Sequence, residues 1–174
     1  MNHTLHPHQK SELAELAVLA MRERGLQPEF SSAVRRQLDG IDGPSEEDGA
    51  GILDLTGLLW CSIDNDDSRD LDQLSVSETL ADGSVRILVA IADVDTLVGK
   101  DTPIDRHAQI NTTSVYTSAR IFPMLPEKLS TDLTSLNPDV ERVATVTDMV
   151  FAPSGELARS TIVRAHVRIK AERD

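Results

Sequence analysis

Residues 63–73 read Ile-Asp-Asn-Asp-Asp-Ser-Arg-Asp-Leu-Asp-Gln, which places five carboxylates within nine positions. The apolar run Leu58-Leu59-Trp60 precedes this acidic segment, and Leu74-Ser75-Val76 follows it. Like charges at this spacing repel one another and raise one another's pKa, so they cost stability unless a cation or a basic group compensates them. A hard divalent metal ion, which takes oxygen ligands, is the simplest compensating group.

The spacing of the carboxylates indicates which of them can share a metal ion. Asp70 and Asp72 are two positions apart, so in an extended chain their side chains point to one face. Asp64 lies six positions before Asp70, across a polar stretch that can loop back. The three together predict a Mg²⁺ site completed by water or a phosphate oxygen. Asp66 and Asp67 are interpreted as loop carboxylates or as groups that surround the ligands.

The acidic segment has two other interpretations. A calcium-binding EF-hand loop that begins at Asp64 requires glycine at its sixth position and glutamate at its twelfth. The chain has Arg69 and Ser75 there, which excludes that motif. A solvated acidic loop without a ligand is the second alternative and stays open, because runs of like charge are usually just solvated.

Further motifs follow the acidic segment in order along the chain. They are Val89-Ala90-Ile91-Ala92-Asp93-Val94, Ser114-Val115-Tyr116, Phe122-Pro123-Met124-Leu125-Pro126-Glu127-Lys128-Leu129-Ser130, and Ser135-Leu136 with Arg142. Together with the pattern Ile-Asp-x5-Asp-Leu-Asp-Gln-Leu-Ser-Val at 63–76, they resemble the ribonuclease II / ribonuclease R family, whose catalytic unit is the RNB domain. The resemblance covers Asp54 to Lys170 and implies the N-terminal half of that domain.

The resemblance implies a specific reaction. It is the 3′→5′ hydrolytic degradation of single-stranded RNA, which releases nucleoside 5′-monophosphates and depends on Mg²⁺. Asp64, Asp70 and Asp72 match the catalytic, metal-binding aspartates of the family. Tyr116 matches a tyrosine that stacks on a base near the 3′ end of the RNA.

Two positions depart from the family pattern. The family usually has a fourth aspartate directly after the third, where this chain has Gln73. A neutral amide can bind a metal through its carbonyl oxygen but adds no charge, so weaker metal affinity or a changed pH optimum is expected. The family also often has an arginine five residues before the tyrosine, where this chain has Asn111.

The overall charge constrains how nucleic acid could bind. The formal net charge is −12 and the pI is about 4.7, whereas broad nucleic-acid binding normally requires a basic surface. The last predicted strand alternates apolar residues with Arg164, His166, Arg168 and Lys170, which predicts one buried and one basic face. Arg164 and Arg168 are therefore candidate RNA contacts, with a solvated strand face as the alternative.

Composition and length indicate the class of protein. The 174 residues, of which 40% are hydrophobic and 3% aromatic, suit one or two small domains with a real core. No apolar run has the length needed to cross a membrane, and the first residues lack a signal-peptide core. Cys61 is the one cysteine, so no internal disulfide is possible. A reduced, cytoplasmic setting is expected.

The pattern of residues predicts an α+β protein. A helical arm is expected over residues 1–40, an acidic Gly/Pro linker over 41–53, and the N-terminal half of an RNB catalytic domain over 54–174. That domain is expected to be a mostly antiparallel sheet with short helices. In the arm, residues 7–24 and a second stretch ending at Leu38 have helical periodicity. A DNA-binding helix-turn-helix is an alternative interpretation of this pair.

The individual strands and helices follow from local signals. Asp82-Gly83 predicts a hairpin turn, and Pro103 suits the first position of a helix. The predicted elements are strands over Leu58–Ile63, Gln73–Leu80, Val85–Ala92, Arg142–Ala152 and Leu157–Ile169, and a helix over Pro103–Asn111.

The length of the chain leads to a further expectation. Family catalytic domains continue well past residue 174 and include a later arginine near the scissile phosphate. Residues 1–174 are therefore expected to need the remaining, C-terminal portion of the domain as a partner and to be inactive alone. The alternative function is a catalytically weak or inactive RNA-binding or regulatory module with an RNB-derived fold, which Gln73 and the short length motivate.

Overall fold

The computed structural model describes residues 7–46, 49, 51–65 and 68–170. Asp66 and Asp67 lie outside these ranges. Two compact units are present. The first comprises the described residues up to Asp42 together with Val98–Glu127, and the second comprises those of Gly43–Leu97 and from Lys128 onward. None of the described helices is long and apolar enough to cross a membrane.

The first unit contains three helices, α1 (Pro7–Glu23), α2 (Ser32–Asp39) and α3 (Pro103–Asn111), and the short strands β4 (Val115–Tyr116) and β5 (Ile121–Phe122). Helices α2 and α3 begin where the sequence provides a signal: Pro103 is at the start of α3, and the Ser31 hydroxyl accepts a hydrogen bond from the Val34 N–H at the start of α2. The predicted helices are confirmed.

A buried polar cluster fixes α3 in this unit. The Asn111 side chain accepts a hydrogen bond from the Gln27 N–H (2.8 Å) and donates to the Gln27 carbonyl (2.9 Å). It also lies 3.1 Å from His107 Nε2, while His107 Nδ1 lies 3.0 Å from Gln27 Oε1. These polar groups therefore satisfy one another inside the unit, as buried polar groups must.

The second unit is built on a five-stranded sheet in the order β1-β7-β6-β3-β2. Its strands are β1 (Ile52–Asp54), β2 (Gln73–Thr79), β3 (Val85–Ala92), β6 (Arg142–Phe151) and β7 (Leu157–Val167). Strand β1 pairs in parallel with β7, and every other pair is antiparallel. The structure confirms the predicted α+β class, the hairpin β2–β3 and the final pair of strands. The predicted ends of the helical arm at residue 40 and of the linker at residue 53 remain predictions. Residues Ile52–Asp54, at the predicted end of the linker, pair with β7 in the sheet.

The apolar side chains of the sheet form one core. Its members include Trp60, Leu74, Leu88, Ala90, Leu136, Ala144, Val146, Ala165 and Val167. Short helical turns complete the unit at Val94–Thr96 and Lys128–Leu133, the second being a π-helix. The register places the start of β2, the end of β3, the start of β6 and the end of β7 at the same end of the sheet.

The prediction of a buried strand over Leu58–Ile63 is wrong. Cys61 pairs with Ser75 through a single isolated bridge, and Leu59 and Ile63 are 79% and 89% exposed. The apolar run has one buried anchor, Trp60, whose indole Nε1 donates to the Leu55 carbonyl at 2.9 Å. Apolar residues alone predicted a strand, whereas one buried aromatic side chain is enough to hold an irregular segment at the edge of the sheet.

Candidate acidic metal site

The acidic segment enters the sheet at the start of β2. The Ala92 N–H donates to the Asp72 carbonyl at 2.9 Å, which extends the β2–β3 pairing by one residue. The Leu71 N–H donates to the Ser135 hydroxyl at 3.1 Å, and the Leu71 carbonyl accepts from the Leu136 N–H at 2.7 Å. The backbone between the two neighbouring aspartates is therefore fixed on both sides.

Asp64 reaches the same place through the bridge between Cys61 and Ser75. The Cys61 N–H donates to the Ser75 carbonyl at 3.0 Å, and the Ser75 N–H donates to the Cys61 carbonyl at 2.8 Å. Asp64 follows this bridge, and its Oδ2 accepts a hydrogen bond from the Ser62 hydroxyl. The bridge thus brings Asp64, from the far side of the acidic segment, alongside the start of β2.

The structure places two of the three predicted aspartates in one pocket. Asp64, Asp72 and Gln73 line it together with Cys61, Ile63 and Ser75. Asp70 is not among the lining residues, but its charge acts on Asp72. Partial burial raises the pKa of the Asp72 carboxyl, and the charges of Asp70 and Asp64 raise this pKa further. Burial and the neighbouring negative charges therefore both oppose ionisation of Asp72.

The chemistry of these side chains fits a hard divalent cation. Carboxylates and an amide carbonyl are the oxygen ligands that Mg²⁺ and Mn²⁺ prefer. A cation in the pocket would also offset the burial and the repulsion that raise the pKa of Asp72. Among the described residues, no three side chains of His, Cys, Asp or Glu form a group placed to hold a metal ion. The structure thus brings the aspartates into electrostatic contact without assembling them as a complete set of ligands.

Gln73 begins β2 opposite Ile91 and lines the pocket. Its amide therefore stands beside Asp64 and Asp72, at the position where the family resemblance leads us to expect a fourth carboxylate. The pocket accordingly has one negative charge fewer than that pattern implies. The direct consequence is weaker electrostatic attraction for a cation.

Tyr116 lies on β4 in the first unit, with its side chain 65% exposed. An exposed aromatic ring presents a flat face on which a base can stack. Asn111, at the position where the resemblance suggests an arginine, is 2% exposed and is committed to Gln27 and His107. The structure therefore gives Asn111 a structural role within α3 and leaves Tyr116 as the candidate for contact with RNA in this unit.

The basic face predicted for β7 is partly neutralised. Arg164 Nε lies 2.7 Å from Asp93 Oδ2, and Arg164 Nη2 lies 3.0 Å from Asp95 Oδ2. His166 Nδ1 lies 3.1 Å from Glu141 Oε1. Arg168 follows the end of β7 and is exposed. Of the two arginines suggested as RNA contacts, Arg164 thus carries an ion-pair role within the sheet, and Arg168 is the more accessible.

Sequence reasoning missed the role of Ser135. The motif Ser135-Leu136 was recognisable, but it contains no sign that these residues bond to the backbone of Leu71. The partners are 64 positions apart along the chain. Only the folded structure shows that a serine after the π-helix contacts the acidic segment.

Comparison with known proteins identifies the family. Residues 52–173 match the model of the RNB domain. The chain is 37% identical over 156 residues to ribonuclease R of Escherichia coli strain K12, a match that covers 87% of this chain and 19% of that protein. The chain therefore spans about a fifth of the length of this curated relative.

Solved structures show the same relationship. The fold is similar to that of Mycoplasma genitalium RNase R in complex with ribose methylated single-stranded RNA, with a TM-score of 0.81, 30% identity, and coverage of 91% of this chain and 24% of that one. The same enzyme in complex with double-stranded RNA gives a TM-score of 0.80, 30% identity, and coverage of 91% and 28%.

A more distant likeness concerns the fold alone. Yeast Ssd1, described as a pseudonuclease, is 15% identical, with a TM-score of 0.51 and coverage of 56% of this chain and 12% of that one. The family itself is decided by the match over residues 52–173, which includes the acidic segment and the whole five-stranded sheet. This chain belongs to the RNB-domain family.

Proposed function

We propose that this chain supplies the acidic, metal-binding part of a 3′→5′ exoribonuclease that hydrolyses single-stranded RNA to nucleoside 5′-monophosphates. The observation that carries the proposal is the pocket lined by both Asp64 and Asp72, where partial burial, and then the charges of Asp70 and Asp64, raise the pKa of Asp72. An array of carboxylates that destabilises its own charges is suited to a cation. Membership of the RNB-domain family supports RNA hydrolysis as the chemistry of this site.

The residues in and beside the pocket would have distinct roles. Asp64, Asp70 and Asp72 would hold Mg²⁺, and the carbonyl oxygen of Gln73 would add a neutral ligand. When bound, the ion would polarise the scissile phosphate, lower the pKa of the attacking water and stabilise the leaving oxygen. The hydrogen bonds of Leu71 and Asp72 to Ser135, Leu136 and Ala92 fix the backbone of the segment, so the aspartate side chains would rotate toward the ion from a held backbone.

RNA would be held without recognition of its sequence. Tyr116 would stack on a base near the 3′ end, a contact worth about 1–3 kcal/mol per base whichever base is present. Arg168 would contact a phosphate, and Arg164 would contribute less because Asp93 and Asp95 already pair with it. The RNA complexes described for Mycoplasma genitalium RNase R support RNA as the ligand.

The proposed activity requires more protein than residues 1–174. Because the chain spans about a fifth of its curated relative, the remainder of the catalytic domain would provide the other phosphate contacts and is the expected partner. Residues 1–174 alone should have little activity, and robust processive degradation by them would contradict this. The single cysteine, Cys61, suits work in a reduced, cytoplasmic setting.

The direction and products of cleavage test the proposal. The full-length protein would be incubated with single-stranded RNA labelled at the 5′ end or at the 3′ end, in Mg²⁺ or in EDTA. In Mg²⁺, the 5′-labelled RNA should shorten progressively, the 3′ label should appear at once as a nucleoside 5′-monophosphate, and EDTA should stop both. Internal cuts, or cleavage that persists in EDTA, would refute the proposed reaction.

A second function is favoured by one observation, the neutral Gln73 in the pocket. The protein could have kept the RNB fold as an RNA-binding or regulatory module with little or no turnover. In the same assay this function predicts RNA that stays intact in Mg²⁺ but is retarded on a gel, with or without EDTA. The likeness to a pseudonuclease concerns the fold alone and does not favour either function.

A further inference from the structure

The backbone of Leu71 is held by hydrogen bonds to residues that lie far away in the sequence. Its N–H donates to the Ser135 hydroxyl at 3.1 Å, and its carbonyl accepts from the Leu136 N–H at 2.7 Å. Both backbone groups of one residue thus bond to two consecutive residues. Since Asp70 and Asp72 flank Leu71, this pair of bonds fixes the backbone from which both aspartate side chains project.

The Ser135 hydroxyl is oriented for this role. It donates to Asn137 Oδ1 at 3.0 Å, and the Asn137 amide donates in turn to the Thr131 carbonyl at 3.2 Å. With its hydrogen committed to Asn137, the hydroxyl oxygen presents a lone pair to the Leu71 N–H. Ser135 is 1% exposed, so water is poorly placed to replace the hydroxyl.

The segment that carries Ser135 is itself well anchored. Leu129 and Leu136, on either side of it, are fully buried. The Thr134 N–H and hydroxyl both donate to the Leu129 carbonyl, each at 3.0 Å. These contacts hold the π-helix and the turn after it in place, and the acidic segment is hydrogen-bonded to this turn.

We propose that Ser135 is a positioning residue for the acidic site: by fixing the backbone of Leu71, its hydroxyl holds Asp70 and Asp72 ready to bind a divalent cation. This inference rests on the proposed function and adds to it a residue outside the carboxylate set. Ser135 is buried, and its hydroxyl acts through the backbone of Leu71.

The test measures cation binding and backbone exchange in the full-length protein. Mn²⁺ would serve as the probe, because it accepts the same oxygen ligands as Mg²⁺ and its binding can be followed by electron paramagnetic resonance. Ser135→Ala should weaken Mn²⁺ binding about tenfold, the lower end of the range for residues that support metal ligands. It should also accelerate hydrogen exchange of the Leu71 amide.

Two further variants make the result specific. Thr134→Val removes a buried hydroxyl of the same turn but keeps the Thr134 N–H bond to the Leu129 carbonyl and does not touch Leu71, so it should lower stability but leave Mn²⁺ affinity unchanged. Asn137→Ala removes the acceptor that orients Ser135, so it should weaken Mn²⁺ binding by a smaller factor, roughly threefold, the low end for one hydrogen bond. This variant keeps the inference testable if Ser135→Ala fails to fold.

The outcomes separate the two proposals. If the wild-type protein binds Mn²⁺ and both Ser135→Ala and Asn137→Ala bind it equally well, the positioning role is overturned while the proposed function stands. An equal loss of affinity in Thr134→Val would show a merely structural effect and would also overturn it. A wild-type protein that binds no Mn²⁺ would overturn the positioning role and the proposed function together.

Discussion

At the scale of single residues, the ionisation of Asp72 links the fold to the proposed chemistry. Partial burial and the charges of Asp70 and Asp64 raise its pKa above the ordinary value of 3.8. A folded-state pKa above the unfolded one means that the native protein holds the proton more tightly. Stability from this group is therefore present at low pH and is lost as the pH rises from 3.8 through the raised pKa.

The first prediction follows from this sign. At neutral pH and without metal, Asp72→Asn should raise Tm by about 1–2 °C, because it removes a partly buried charge and its repulsion, together worth less than about 1 kcal/mol in a solvent-accessible site. Mg²⁺ should then stabilise the wild-type protein more than the variant. Thermal unfolding with and without Mg²⁺ measures both effects, and a variant with lower Tm in EDTA would show that the carboxylate is satisfied by the protein alone.

The second prediction concerns the missing carboxylate. Gln73→Asp should lower the Mg²⁺ concentration needed for half-maximal RNA cleavage roughly tenfold, because affinity for hard cations rises with the number of charged ligands. The measurement is a titration of activity against Mg²⁺.

Ser77→Asp is the matched control for Gln73→Asp. It adds the same charge at an exposed position farther along β2, so it should leave the titration unchanged. If the wild-type protein already saturates at low Mg²⁺ concentration, or if both variants behave alike, Gln73 does not limit metal binding.

At the scale of secondary-structure elements, the hairpin β2–β3 places the acidic segment. The Leu80 N–H donates to the Ser84 carbonyl at 2.8 Å, and Asp82 Oδ1 accepts from the Ser84 N–H at 2.9 Å. Gly83 has a φ of +82°, a conformation that other residues rarely adopt. The turn therefore sets the register that brings Asp72 opposite Ala92.

The third prediction tests this turn. Gly83→Ala should destabilise the protein by about 1–2 kcal/mol, the cost of a left-handed conformation for a residue with a Cβ. The added Cβ would meet Pro153 at an ordinary 3.7 Å, so backbone strain rather than a clash is responsible. Urea unfolding measures the loss. Gly57→Ala, where no atom lies within 4 Å and φ is unexceptional, should change little, and equal losses would refute the argument.

The elements differ in how far sequence could predict them. Strands β3, β6 and β7 and helix α3 were predictable, because apolar periodicity, Asp82-Gly83 and Pro103 are local signals. The segment 58–63 was not, because its apolar residues Leu59 and Ile63 are exposed and only Trp60 is buried. Hydrophobicity alone cannot distinguish a strand from an irregular edge segment fixed by one aromatic anchor.

The site was predictable in part for the same reason. Asp64, Asp70 and Asp72 are close in sequence, so the sequence alone shows them as a cluster of negative charge. The contact between Ser135 and Leu71 depends on the packing of the π-helix against the start of the sheet, which no local pattern encodes. The ion pairs of Arg164 with Asp93 and Asp95 were equally hidden, since they join positions about 70 residues apart.

At the scale of the whole molecule, the net charge of −12 must be reconciled with RNA as the proposed ligand. The end of the sheet that carries Asp72 is also where β7 ends and Arg168 follows. A bound cation and a small number of accessible basic groups would let phosphate approach there. Affinity for RNA should therefore depend on local charge and on metal rather than on the average surface.

The fourth prediction addresses that local charge. Arg168→Ala should weaken binding of single-stranded RNA and reduce the slope of log affinity against log salt by about 0.7, the value for one phosphate contact. Arg159→Ala, an exposed change near the opposite end of β7, is the control and should preserve both. Salt-dependent binding titrations of the full-length protein decide between them, and identical slopes in all three proteins would remove Arg168 from the interface.

The most direct test of the central claim is the rate at which the full-length Asp72→Asn protein shortens 5′-labelled single-stranded RNA in saturating Mg²⁺. Asp132→Asn, the same change at an exposed position of the same compact unit, is the control. We predict a loss of at least about 100-fold for Asp72→Asn, no loss for Asp132→Asn, and a folded protein in both cases. Wild-type rates in Asp72→Asn would contradict the assignment of the acidic pocket as the site of metal-dependent hydrolysis.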